Sequence, residues 1–237
     1  MSSDYNTAIA VVNIGKDNIF KYCLHSLEYF CDKYKCGLEI IESSKYKIEG
    51  FDGYNYAILE KNQIFDLFDR YDRILRVDTD VLINPFCPNV FDIVPREKIG
   101  AVFEDVGSRE NNRRRHIQEA QKILGMIDWD SGYFNSGVII VSKEHRDLFK
   151  LTDKVIQTIV HEMSGAKEQT LLNYRVRKYG YEVHELDFRF NHTRIFSEPW
   201  NGSPSRLDSF IIHYAGHQKS KQRLIKKDFK QLFKGKL

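Results

Sequence analysis

The chain has 237 residues, of which 29% are charged and 42% hydrophobic, a composition typical of a soluble globular protein large enough for one domain with an ample core. It contains no run of about eighteen apolar residues, and its first residues lack the pattern of a signal peptide, so we expect a cytoplasmic protein without a membrane span. Residues 218–237 carry eight Lys or Arg and one Asp, whereas residues 1–217 carry 28 basic and 32 acidic side chains. Because the main part of the chain is slightly acidic, we expect no nucleic-acid partner.

Apolar segments of strand length alternate along the chain with segments of helical spacing. The pattern predicts strands at 7–14, 38–41, 73–77, 99–103, 134–141, 181–186 and 210–213, and helices at 17–34, 54–68, 145–161 and 167–177. The polar segment 109–116, with three consecutive arginines, is predicted to be a mobile surface loop that could contact an anionic substrate if it lies beside the active site. This alternation predicts an α/β fold with a sheet covered by helices on both faces. No repeat or linker interrupts it, so we expect one domain over residues 1–217 and a basic tail over 218–237.

Two carboxylates follow the predicted strand 73–77. Asp78 and Asp80 flank Thr79, and in an extended chain they would point to the same side. Ligands of an open α/β sheet bind beyond the carboxyl ends of the strands, which is where this pair lies. Two anionic oxygen donors suit Mg²⁺ or Mn²⁺, which also accept phosphate oxygens as ligands. The alternative is that these aspartates only cap backbone N–H groups of a turn.

Polar groups also stand at the start of the predicted strand 134–141 and of the helix 167–177. Asn135 and Ser136 could donate hydrogen bonds to sugar hydroxyls, with Gly137 allowing close approach, although such a cluster can also mark a bulge. Glu168 and Gln169 open the helix, where a carboxylate is favoured by the helix dipole alone. That electrostatic explanation does not account for Gln169.

A histidine, a glycine and a lysine recur at intervals of three residues after the predicted strand 210–213. His213 could complete a metal site with the two aspartates, while the backbone of Gly216 and the ammonium group of Lys219 could meet phosphates. Lys61, in the predicted helix 54–68, is a further candidate for a phosphate contact.

These motifs together resemble the glycogenin-like family 8 of retaining glycosyltransferases. The resemblance runs through nearly the whole chain, in the order Val11 to Gly15, Lys61, Asp78-x-Asp80, Gly100-Ala-Val-Phe-Glu104, Phe134-Asn-Ser-Gly137, Glu168-Gln169, Asn191 and His213-x-x-Gly216-x-x-Lys219. It implies a GT-A fold, with a Rossmann-like mixed sheet that binds a UDP-sugar together with Mn²⁺ or Mg²⁺.

The resemblance also implies roles for individual residues. Asp78, Asp80 and His213 match the metal ligands, and Gln169, with Glu168 beside it, lies where the family places its reaction centre. The donor-binding set, which includes the two aspartates again, comprises Val12, Asn13, Ile14, Gly15, Lys61, Asp78, Thr79, Asp80, Glu104, Asn135, Ser136, Gly216 and Lys219.

Two positions depart from the family pattern. Glu168 replaces the usual Asp, which could change the preferred donor. Lys219-Ser220-Lys221 replaces Lys-Pro-Trp, so this loop could differ from the family in how it closes over the donor. The expected reaction transfers a hexose from UDP-glucose or UDP-galactose to a saccharide, lipid-linked or protein hydroxyl with retention. Because an amide is a poor nucleophile, front-face attack assisted by Gln169 is expected. The alternatives are a sugar-nucleotide-forming nucleotidyltransferase and a binding module for UDP-sugars without turnover.

The basic tail has its own pattern. Ile225, Phe229, Leu232 and Phe233 share one helical face among lysines. Such a helix could lie on an anionic membrane, giving peripheral contact, or its apolar face could cap the core while the lysines are solvated.

Overall fold

A six-stranded mixed sheet forms the centre of the molecule, which is described here from a computed structural model covering residues 6–15, 20–46, 58–216 and 220–235. The sheet order is β2-β1-β3-β6-β5-β7, and β4 pairs with β8 in a separate two-stranded sheet. The strands are β1 (Thr7–Val12), β2 (Gly37–Ile41), β3 (Arg73–Val77), β4 (Val81–Ile83), β5 (Ile99–Ala101), β6 (Val138–Ser142), β7 (Val183–Glu185) and β8 (Ile211–His213). The α-helices are α1 (Phe20–Tyr34), α2 (Ile64–Leu67), α3 (Val90–Ile93), α4 (Glu110–Leu124), α5 (Asp153–His161), α6 (Lys167–Lys178) and α7 (Lys221–Leu232). The α/β prediction, with helices flanking a mixed sheet, is confirmed.

The central strands are buried on both faces, as their largely apolar sequences predict. Ile9 in β1 and Leu75 in β3 belong to a cluster that includes residues of α1, β4, β8 and α7. Their neighbours Ala10 and Ile74 belong to a second cluster on the other face, with residues of α2 and α6. The alternation of side chains along each strand therefore divides the core into two layers.

The turn after β3 carries Asp78 and Asp80, the predicted metal ligands. β1 and β3 are parallel, with Val11 opposite Val77. The segment 12–15 that follows β1 therefore begins beside Asp78. β4 begins directly after Asp80 and runs antiparallel to β8, with Val81 paired to His213. The small sheet thus brings the far end of the chain against the Asp-x-Asp turn.

Three predicted elements differ in the structure. The predicted helix 54–68 is helical from residue 58 to residue 67, but a 3₁₀ turn at Lys61–Gln63 separates the α-helical residues 58–60 from α2, and its residues 54–57 lie outside the described part of the chain. The predicted helix 145–161 is a 3₁₀ helix at Lys143–Phe149 and then α5, which begins after Thr152, whose hydroxyl caps the backbone N–H of Val155. The predicted loop 109–116 is wrong, because residues 110–116 form the start of α4.

Helix α7, within the predicted tail, packs on the main body of the protein. Ile225 and Phe233 are fully buried, and the ring of Phe229 lies 5.4 Å from that of His25 in α1. The carboxylate of Asp228, which is also buried, accepts hydrogen bonds from Arg206 and from the hydroxyl of Tyr214. The apolar face of α7 is therefore part of the core. Among the described residues, none of the helices combines the length and apolar character needed to cross a bilayer.

Candidate active site

Asp78, Asp80 and His213 converge on one point. His213 Nε2 lies 3.4 Å from Asp80 Oδ1 and 3.7 Å from Asp78 Oδ2, and one ligand atom from each residue lies within 4.8 Å of the others. Asp78 and Asp80 occupy a turn rather than the predicted extended strand. Backbone hydrogen bonds hold this turn, from Asp78 N to Gly137 O at 2.9 Å and from Tyr214 N to Asp80 O at 3.0 Å.

A hydrogen bond at Nδ1 fixes the orientation of the His213 ring. Its Nδ1 lies 2.9 Å from Asn191 Oδ1, which can only accept, so Nδ1 carries a proton and Nε2 is the ring nitrogen that faces the carboxylates. The amide of Asn191 is oriented in turn, because its Nδ2 donates to Asn135 Oδ1 at 3.0 Å. Gly137 makes room for the imidazole, since a Cβ there would lie 2.2 Å from His213 Cε1. This glycine therefore makes room for the His213 ring, whereas the sequence suggested that it makes room for a sugar.

Two lysines balance the charge of the aspartates. Lys61 Nζ lies 2.5 Å from Asp78 Oδ1, and Lys221 Nζ lies 2.8 Å from Asp80 Oδ2. Burial alone would raise the pKa of both aspartates. Lys61 and then His213 outweigh this effect at Asp78, and His213 and then Lys221 outweigh it at Asp80, so both pKa values lie below the usual range. Burial alone would lower the pKa of Lys61, but Asp78 and then Glu168 outweigh it and raise that pKa. All three groups are therefore charged at neutral pH.

Glu168 forms a buried ion pair. Its Oε1 lies 2.8 Å from Arg76, which is 1% exposed in the middle of β3, and its Oε2 accepts from Ser136 Oγ at 2.9 Å. Arg76 also donates to the carbonyl of Ser136 at 2.8 Å. Both carboxylate oxygens are thus engaged, which ties the first turn of α6 to the sheet.

Gln169 is held by two hydrogen bonds that determine which end of its amide is which. Its Oε1 accepts from the backbone N–H of Ser136 at 3.0 Å, and its Nε2 donates to Glu104 Oε1 at 2.8 Å. If the amide were reversed, its NH₂ group would face the N–H of Ser136 and its oxygen would face the carboxylate of Glu104, and neither pair could form a hydrogen bond. The orientation of Gln169 therefore follows from its partners.

Glu104 is the centre of a second charged cluster. It is fully buried, and its oxygens bind Arg109, Arg113 (2.5 Å), Asn135 (3.1 Å) and Gln169. A chain of hydrogen bonds thus runs from His213 through the Asn191 and Asn135 amides to this carboxylate.

These groups surround a cleft of about 430 Å³. Nine of the predicted site residues line it: Lys61, Asp78, Asp80, Asn135, Ser136, Glu168, Gln169, His213 and Gly216. The others lie elsewhere: Val12, Asn13, Ile14 and Gly15 at the end of β1, Thr79 in the turn, and Glu104 beneath the cleft. Lys219 lies outside the described residues.

Four charged residues of the site were not in the predicted set. Arg109, Arg113, Lys167 and Lys221 line the cleft. The polar segment 109–116 was a usable signal for Arg109 and Arg113, but the helical period of residues 110–124 had to be recognised first. Lys221 was noted only as a departure from the family pattern.

The sequence of the chain matches the family model "Glycosyl transferase family 8" over residues 4–220. The chain belongs to glycosyl transferase family 8. No curated protein sequence matches it significantly.

Solved glycosyltransferases have the same fold. One, involved in glycosylation of the major capsid of the virus PBCV-1, aligns with a TM-score of 0.62 at 14% identity over 94% of this chain and 99% of its own. The bifunctional glycosyltransferase WbbM gives 0.62 at 13% identity over 98% of this chain and 50% of its own. The galactosyltransferase LgtC, in complex with donor and acceptor sugar analogues, gives 0.56 at 16% identity over 97% of this chain and 100% of its own. The GT-A fold expected for family 8 is thereby confirmed.

The ligand atoms of Asp78, Asp80 and His213 suit a divalent cation. Two carboxylates and one imidazole nitrogen face each other, and oxygen-rich sets of this kind are typical of Mg²⁺ and Mn²⁺. The support of His213 Nδ1 by Asn191 is the usual arrangement behind a metal-binding histidine. The residues present therefore fit the ion that the sequence predicts.

Proposed function

We propose that this family 8 protein is a retaining, divalent-metal-dependent transferase that moves a hexosyl unit from a UDP-sugar to an acceptor hydroxyl. The observation that supports this most strongly is that Asp78, Asp80 and His213 share one cleft with Gln169. UDP-glucose and UDP-galactose are the expected donors. A saccharide acceptor is favoured over lipid-linked and protein hydroxyls because LgtC, which has this fold, has been solved with an acceptor sugar analogue.

Asp78, Asp80 and His213 would hold Mn²⁺ or Mg²⁺, which supplies Lewis-acid stabilisation of the charge that develops on the departing diphosphate. Lys61 and Lys221, which lie against the two aspartates, are placed to move onto phosphate oxygens. Lys219 is proposed for the same purpose from the sequence pattern. The end of β1, residues 12–15, would bind the uracil.

Front-face attack is the route that the charges favour. As the bond to UDP breaks, positive charge develops on the sugar, and the carbonyl of Gln169 retains a lone pair beside the one that accepts from Ser136. Glu168 is a poor nucleophile because Arg76 and Ser136 engage both of its oxygens. The acceptor hydroxyl would then enter on the side that UDP leaves, passing its proton to a phosphate oxygen.

The Gln169→Ala substitution tests this role. We expect the transfer rate to fall about 100-fold or more while the affinity for UDP with Mn²⁺ stays within about twofold, since removing one preorganised polar group typically has an effect of this size. Gln118→Ala, on the exposed face of α4, is the matched control and should leave the rate unchanged. An unchanged rate in the Gln169 variant would remove this residue from the mechanism.

We propose that any peripheral membrane contact is made by the exposed lysines of α7 and not by its apolar face. The apolar face of α7 is buried, but Lys226, Lys227 and Lys230 are exposed on the same helix. Such a cluster could attract an anionic surface without insertion. Any contact of this kind should be abolished by moderate salt, as measured by vesicle co-sedimentation.

A further inference from the structure

One end of the cleft presents hydrogen-bond donors where the family resemblance leads one to expect an acceptor. Glu104 matches a position that holds the donor sugar in the family, yet here it is 0% exposed and both of its oxygens are occupied. The side chains that reach the cleft beside it are Arg109, 26% exposed, and Arg113, 11% exposed. Guanidinium groups donate and cannot accept, so they do not replace a carboxylate in binding sugar hydroxyls.

The two arginines together carry more charge than their partner neutralises. Glu104 offers one negative charge to two guanidinium groups, which leaves one positive charge in excess. Of the neighbouring acids, Glu110 pairs with Arg114, and Asp105 keeps its charge but directs both oxygens to the backbone N–H groups of residues 132 and 133 rather than to either arginine. Arg113 also lies 5.2 Å from the ring centre of Tyr133, a contact that orients its guanidinium but leaves its charge in place.

Apart from these arginines, the charges of the described cleft residues balance except for Lys167, whose ammonium group donates to the carbonyl of Val160 at 2.7 Å. Lys61 and Lys221 match Asp78 and Asp80, and Arg76 matches Glu168. If the proposed function holds, a divalent cation and the two negative charges of a UDP-sugar enter this set and cancel each other. The excess positive charge at Arg109 and Arg113 is therefore not consumed by the diphosphate.

We propose that Arg109 and Arg113 recognise an anionic group, a carboxylate or a phosphate, carried by the sugar that reacts in this cleft. Planar guanidinium groups bind such groups through paired charge-assisted hydrogen bonds, and partial burial strengthens them. The anion would belong either to the transferred sugar, as in a hexuronate, or to the acceptor sugar. Both arginines contact Glu104, which contacts Gln169, so the recognised group would lie close to the transferring centre.

This inference rests on the proposed function, and the first measurement separates the two. The affinity of UDP alone is measured by calorimetry in the presence of Mn²⁺, because UDP lacks the sugar that the arginines would contact. If UDP does not bind, the proposed function fails and this inference fails with it. If UDP binds, the remaining measurements test the inference alone.

In the donor arm, UDP-glucose and UDP-galactose are compared with UDP-glucuronate and UDP-galacturonate. We expect a hexuronate donor to bind at least about tenfold more tightly than its neutral counterpart, and Arg109→Gln to reduce that ratio to near one. Arg114→Gln is the matched control, since Arg114 is 61% exposed and one residue from Arg113, and it should leave the ratio unchanged. A preference in the wild-type protein that only the Arg109 variant loses assigns the anion to the donor.

In the acceptor arm, transfer from a neutral donor is measured to pairs of acceptor sugars with and without a carboxylate or phosphate. A preference of at least about tenfold in kcat/KM for the charged acceptor, lost in Arg109→Gln and kept in Arg114→Gln, assigns the anion to the acceptor. Equal treatment of charged and neutral sugars in both arms by the wild-type protein overturns the inference, whatever the variants do.

Discussion

Substituting Gly137 by Ala should weaken metal binding without removing any ligand. The new Cβ would lie 2.2 Å from His213 Cε1 and 2.9 Å from Asp78 Oδ2, whereas ordinary contacts begin at 3.4 Å. The imidazole would therefore have to move by about 1.2 Å, the difference between 3.4 and 2.2 Å. Because metal–ligand distances tolerate only about 0.2 Å, His213 would be lost as a good ligand. We expect the affinity for Mn²⁺ to fall about 10- to 100-fold, the usual effect of disturbing the support of a ligand.

Calorimetric titration of Mn²⁺ in the presence of UDP measures this effect, and a second glycine provides the control. Gly100→Ala also inserts a methyl group into the sheet, 2.5 Å from Val94 Cγ2, but far in sequence from any proposed ligand. Both variants should lose about 1–3 kcal/mol of unfolding free energy through overpacking. Only the Gly137 variant should lose metal affinity. An unchanged Mn²⁺ affinity in a folded Gly137→Ala protein would refute the assignment of His213 as a ligand.

Three further predictions concern stability. Phe229→Ala should lower the unfolding free energy by about 3–5 kcal/mol in urea titrations, because this ring is buried against α1, whereas the exposed Lys230→Ala should change it by less than about 0.5 kcal/mol. Burial lowers the pKa of His192 to about 4, whereas the pKa of this residue in the unfolded chain is near 6.5. Between these two pH values the unfolded chain binds one more proton than the folded protein. The unfolding free energy must therefore fall as the pH drops from about 6.5 to about 4. His192→Asn should abolish up to about 3 kcal/mol of that fall, and equal pH profiles of the two proteins would contradict it. Glu168→Gln should destabilise the protein by about 3 kcal/mol because Arg76 is left buried without a counter-charge, and a cost below about 1 kcal/mol would mean that this pair is not buried in solution.

The sheet was predictable because its signal is local. Continuous apolar segments such as residues 138–141 can be buried on both faces only inside a layered α/β fold, and the order of strands and helices then restricts the topology. Arg76 interrupts the apolar sequence of β3, and its burial was not foreseen. Its partner Glu168 is 92 residues away, and no local pattern pairs two residues at that separation.

The predicted set of metal ligands converged, although the reason given for the aspartates was wrong. Alternation along a strand was expected to aim Asp78 and Asp80 together, but they lie in a turn, and pairing of β4 with β8 brings His213 to them. The order of motifs in the family resemblance carried this information, whereas the local period did not.

For the arginines of α4, the charge was recognised in the sequence but the secondary structure was predicted wrongly. Residues 110–115 are so polar that the segment was interpreted as a loop, yet the helix is stabilised by its packing, with Ile117 and Ala120 buried on its inner face. Which arginines face the cleft depends on the angle at which α4 meets Glu104. That angle is a tertiary property, which explains why the charge at this end of the cleft was visible in the sequence but its partners were not.

The most direct test of the proposed reaction is release of UDP from a panel of UDP-sugars, neutral and anionic, with Mn²⁺, with Mg²⁺ and with a chelator. The account predicts that at least one donor is consumed in the presence of a divalent ion, that the chelator stops the reaction, and that Asp80→Asn reduces it strongly while Asp66→Asn, at an exposed helix position, does not. Failure of UDP to bind with either metal, or turnover that the chelator leaves unchanged, would contradict the assignment of Asp78, Asp80 and His213 as the metal site of a glycosyltransferase.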